Sequence, residues 1–99
     1  MVKLFEVVST GGMSEKSYNL REIYINPAHV VYVREATKYK RLLNEGKLPA
    51  DLDNRQEFSK ISLLKGSTGL EIVVVGNTKL IMEKFNAMND SGGKHVLRG

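Results

Sequence analysis

The chain opens on an alternation. Val2 and Leu4 are separated by Lys3, Phe5 precedes Glu6, and Val7-Val8 follows, so the pattern predicts a first strand over Val2–Val8. Ser9-Thr10-Gly11-Gly12 ends it, and the small, polar Met13–Asn19 reads as a loop between antiparallel strands. Leu20–Ile25 gives a second strand. Asn26-Pro27 interrupts the pattern, because proline removes a ladder donor and holds the residue before it extended. His29–Arg34 then resumes as a third strand, with Val31 and Val33 on one face and Val30 and Tyr32 on the other. That β-branched run predicts burial on both faces.

The period changes at Ala36–Asn44. Ala36, Tyr39 and Leu43 recur at helical spacing, Leu42 widens the stripe, and Lys38, Lys40 and Arg41 fall mostly off it. Gly46 and Pro49 close this short helix, and the polar Ala50–Glu57 reads as a mobile loop. Phe58–Leu64 alternates again, with Ile61 and Leu63 toward the core. Gly66-Ser67-Thr68-Gly69 turns the chain into Leu70–Val75, and two apolar runs around a glycine-bearing turn predict a hairpin. Asn77 or Thr78 caps a final helix whose stripe is Ile81, Phe85 and Met88, with Lys79, Glu83 and Lys84 outward. The expectation is an α+β domain over residues 1–88. It has a small, mostly antiparallel sheet of four to five strands, a C-terminal helix packed on one face, and a short helix in an insertion. Residues 89–99 are expected to form a flexible tail.

Several elements resemble those of the FlbD-type small flagellar proteins. They are Ile25-Asn26-Pro27-Ala28-His29-Val30, then Lys60-Ile61-Ser62-Leu63-Leu64-Lys65-Gly66, and a valine-rich strand running into Leu80-Ile81-Met82-Glu83-Lys84-Phe85. The resemblance covers Val2–Val8, Leu20–Arg34 and Phe58–Asn86 and implies the strand order and the hairpin. Ser9–Asn19 and Glu35–Glu57 stand as insertions relative to that pattern, the second of them helical and basic.

Composition narrows the chemistry. In 99 residues there is room for one core. The absence of cysteine removes disulfides, thiol chemistry and cysteine-ligated zinc. No apolar run is long enough to span a bilayer, and the early Lys3 and Glu6 do not suit a signal peptide, so a cytoplasmic protein without membrane contact is expected. His29 and His95 are isolated from carboxylates at ligand spacing, which argues against a metal site. Asp51, Asp53 and Glu57 share one loop but lack the glycine and the carboxylate count of a calcium loop. Gly66–Gly69 joins strand to strand and lacks the lysine of a phosphate cradle. No catalytic residue and no cofactor are therefore expected, and the chain reads as a non-enzymatic binding or regulatory module.

Charge adds one feature. Most of the net charge of +4 lies between Arg34 and Lys47, where Arg34, Lys38, Lys40, Arg41 and Lys47 face only Glu35 and Glu45. With Tyr39 interleaved, these residues form a candidate surface for nucleic acid or another anionic partner. The other reading of the same residues is a solvated helix face whose Tyr39, Leu42 and Leu43 pack inward. A third expectation is self-association as a dimer or higher oligomer, through a free sheet edge or the exposed side of Leu42-Leu43, and a protein partner is a further expectation.

Overall fold

The computed structural model describes residues 1–11 and 17–93, with side chains of the last helix as far as Ala87. Five strands form one antiparallel sheet: β1 (Val2–Thr10), β2 (Ser17–Ile25), β3 (Val30–Glu35), β4 (Phe58–Lys65) and β5 (Thr68–Val75), in the spatial order β2-β1-β5-β4-β3. Helix α1 (Thr37–Asn44) follows β3, and α2 (Thr78–Gly93) follows β5. The expected α+β architecture is the one observed, with five strands, a C-terminal helix and a helix in the insertion.

The connection between β2 and β3 bends this sheet. A flat sheet of five strands at a spacing of about 4.8 Å would hold its edges about 19 Å apart. Yet β2 and β3, the two edges, are joined by only Asn26–His29, of which Pro27–His29 coil into a 3-10 turn. Such a turn advances only about 2.0 Å per residue. The edges must therefore converge at this end, and the sheet curls around its inner face. Asn26 stays extended, and its Oδ1 accepts from the Ala28 amide at 3.0 Å, which starts the turn.

The curl creates two cores. Inside it, Val2, Leu4, Ile25, Ile61, Ile72 and Val74 pack against Ile81 and Phe85 of α2. The period of 3.6 puts those two α2 residues one turn apart on one face, while Lys79 and Glu83 stay exposed. On the outer face, Val7 and Phe58 pack with Ala36, Leu42 and Leu48, flanked by Tyr18, Leu20, Tyr39, Val73 and Val75. Two backbone bonds seat this layer: Ala36 N donates to Phe58 O at 3.0 Å and Gly76 N to Glu57 O at 2.8 Å. Ser59, wholly buried, donates from Oγ to Gly76 O at 2.7 Å and so ties β4 to the start of α2.

Several sequence expectations are corrected. Ser17–Asn19 belong to β2 rather than to the preceding loop, whose residues 13–16 lie outside the described chain. His29 sits exposed in the 3-10 turn and not in a strand. A register shift between Val30 and Tyr32 sends Val30 and Val33 to the same inner core and leaves Val31 58% exposed, so the third strand is not buried on both faces. The hairpin turn is tighter than expected, since Thr68 and Gly69 already pair with Lys65 and Leu64. Asn77 is the cap of α2, its Oδ1 accepting from Leu80 N at 2.8 Å. That helix continues to Gly93, beyond the expected boundary at residue 88. His95 and the rest of residues 94–99 lie outside the described chain.

Candidate functional site

The five basic residues and the interleaved Tyr39 do not form one surface. Helix α1 lies across the outer sheet face with Leu42 buried and Tyr39 and Leu43 partly so. Leu42 is thus part of the outer core, with Leu43 half-buried beside it. Tyr39 stands between Tyr18 and Phe58, its ring centroid 6.2 Å from each. Burial, helped by the neighbouring Tyr18, raises its pKa above the ordinary tyrosine value. Tyr39 is therefore a half-buried packing residue, and Lys38 Nζ lies over its ring, 5.7 Å from the centroid.

Lys40 points into the fold. Its Nζ donates to Asn54 O at 3.2 Å and to Gln56 O at 3.1 Å, so the ammonium straps the loop that follows α1 onto the helix. That loop is further held by Leu52, which packs on the outer core, and by Asp53, which accepts from Arg55 N at 2.8 Å. The same backbone bond, with the Arg55 guanidinium, holds the Asp53 carboxyl below its ordinary pKa. The Ala50–Glu57 loop is thus tied to α1 and to the outer core. Lys47 is drawn toward Glu45, 3.8 Å away. Arg41 is exposed in the last turn of α1.

The remaining cations meet on the sheet. In the β3–β4 register Arg34 lies directly opposite Lys60, two like charges on one face. Such a pair is unfavourable on its own. Arg34 is steadied by stacking on Tyr32, its Cζ 4.4 Å from the ring centroid. The Tyr32 hydroxyl donates to Glu71 Oε2, and that bond keeps the proton on Tyr32 above the usual tyrosine range. One carboxylate near the cations is therefore already engaged. Between α1 and the sheet runs a groove of about 370 Å³, lined by Thr37 and Lys38 of α1 and by Glu35, Lys60, Glu71 and Val73 of the sheet. Among the described residues Arg34, Lys38, Arg41 and Lys60 make no ion pair.

Sequence reasoning missed Lys60 and Glu71 because only the strand register brings them to Arg34 and Tyr32, and it left Tyr32 unused although alternation along β3 puts it on the face of Arg34. The described residues contain no group of three histidine or carboxylate side chains placed to hold a metal, and no helix among them is long and apolar enough to cross a membrane. Comparison with known proteins found no match to a family model, a curated protein or a solved structure.

Proposed function

We propose that this protein is a small non-enzymatic binding module that presents a cationic rim to an anionic partner, with nucleic acid as the partner class. The observation that carries the reading is the cross-strand juxtaposition of Arg34 and Lys60, with Lys38 across the same groove and none of the three ion-paired. A phosphate placed between them removes their mutual repulsion. The binding set is Arg34, Lys38, Lys60 and Arg41. Lys40 is left out of it as a structural strap, Tyr39 as a packing residue, and Lys47 as a partner of Glu45. A cytoplasmic location accords with the absence of cysteine. The FlbD-type resemblance is proposed for the strand order alone.

The test is anisotropy of a fluorescent single-stranded oligonucleotide across a salt series. Four phosphate contacts give a log–log salt slope of about −3 on a single strand. Replacing Arg34, Lys38, Arg41 and Lys60 together with glutamine should abolish binding at low salt. Lys40→Gln should leave the slope unchanged. No binding by the unmodified protein at low salt, or a slope that depends on Lys40 alone, removes this reading.

A further inference from the structure

A second surface lies at the seam where the sheet fails to close. β2 is an edge strand, and its nine-residue register with β1 runs without a bulge or a proline. Among the described residues no strand pairs with its outer side. Edge strands of that length are usually blunted, and the opposite edge is, since β3 carries the register shift at Val30/Tyr32 and follows Pro27. The curl brings the end of β2 to face the β4–β5 hairpin across a mostly apolar cleft of about 310 Å³, with Ile23 and Tyr24 on one wall and Leu63, Leu64 and Leu70 on the other. Tyr24, Leu64 and Leu70 are 59%, 48% and 57% exposed. Lys65 and His29 also line the cleft, and among the described residues no carboxylate does.

We infer that this cleft takes an extended acidic–apolar segment of a partner protein, added as a strand along the outer side of β2. The three features select that occupant together. An unpaired strand edge offers alternating backbone donors and acceptors, which an extended peptide satisfies and a compact apolar ligand does not. The apolar walls accept every second side chain of such a strand. Lys65, with no carboxylate beside it in the cleft, favours acidic residues on the incoming chain. A second copy of this chain fits less well, because a two-fold contact through the same patch brings two Lys65 side chains to one site. The inference does not depend on the cationic rim, which lies on the outer face beside α1.

The test uses a fluorescent synthetic peptide of alternating leucine and glutamate, titrated with the full chain. Saturable binding is expected. It should weaken about tenfold or more when alternate amides of the peptide are N-methylated, which removes two or more backbone bonds. It should weaken likewise in Leu64→Glu and Lys65→Glu, both exposed positions whose folding is checked by circular dichroism. In the quadruple glutamine variant of the cationic rim, peptide binding should be unchanged, which separates the two proposals. Equal affinity for the methylated peptide overturns strand addition, and equal affinity for a leucine–lysine peptide overturns the charge selection. No binding at all overturns the inference outright. A concentration-dependent dimer in sedimentation that Leu64→Glu abolishes assigns the cleft to a second copy and also overturns it.

Discussion

At the scale of single residues, burial and partner decide what a side chain is for, and the type of residue does not. Lys40 and Lys38 are two positions apart on α1, yet one is a strap bonded to two carbonyls and the other is exposed and lies over the ring of Tyr39. Ser59 is polar and wholly buried, which is tolerable only because Gly76 O accepts its proton. Phe85, 3% exposed, is the largest apolar group that α2 gives the inner core. Phe85→Ala should destabilise by about 3–5 kcal/mol in urea unfolding, and an unchanged midpoint would remove α2 from the core. Tyr39 adds a pH signature. Its proton is held more tightly in the folded chain than in the unfolded one, because burial disfavours the phenolate. The stability tied to that proton is complete below the unfolded value of about 10 and is lost as pH rises through the higher folded value. Tyr39→Phe should therefore make the alkaline loss of stability shallower, read from urea midpoints between neutral and alkaline pH. A parallel loss in both proteins counts against the burial of the ring.

Among the elements, two of the glycines that turn the chain differ in what they demand. Gly66 in the β4–β5 turn has φ +63 with open space around a hypothetical Cβ, whereas Gly76, between β5 and α2, has φ +124 and a Cβ there would meet Ile81 Cδ1 at 3.1 Å. Gly66→Ala should cost about 1–2 kcal/mol, the usual left-handed penalty. Gly76→Ala should cost more, since strain of about 1–3 kcal/mol is joined by displacement of the buried Ile81. Equal losses in denaturant titrations would contradict the tight β5–α2 junction. Both turns were legible in the sequence, as were the hairpin and the α2 stripe, because apolar periodicity and glycine act locally. The start of β2 was not legible: Ser17 and Asn19 are exposed and polar, and they are strand only because β1 pairs with them. Nor was the shift at Val31, which single-residue spacing cannot anticipate. The candidate site was legible as a charged stretch but not as a surface. Arg34 meets Lys60 only through register, and Lys40 is withdrawn from solvent only by a loop that folds back on it.

For the whole molecule, the order β2-β1-β5-β4-β3 and the short link between its edges explain why one sheet carries two unequal cores. The inner core draws on all five strands and α2, so nothing in it opens without disturbing the sheet. The outer core is built on β1, β2, β4 and β5 and is closed by α1 and the segment after it, through Leu42, Leu48 and Leu52. Alternation along β4 makes this layer hard to foresee: Phe58 sits in phase with Lys60 and Ser62, the apparent solvent face, and becomes buried only because α1 covers it. This architecture separates the two layers energetically. The residues from α1 to β4 make few connections to the rest beyond that outer contact, and a free-energy hierarchy of local opening follows from such asymmetry. Leu42→Ala removes the one buried α1 side chain and should destabilise the layer by about 2–5 kcal/mol. Hydrogen exchange followed by mass spectrometry should then show faster exchange across residues 37–57, while the amides of β1, β5 and α2 keep their protection. Ile81→Ala, in the inner core, should raise exchange in every strand instead. If Leu42→Ala lowers protection in β1 and β5 as much as in α1, the two cores open as one cooperative unit and the separation argued from their packing is wrong.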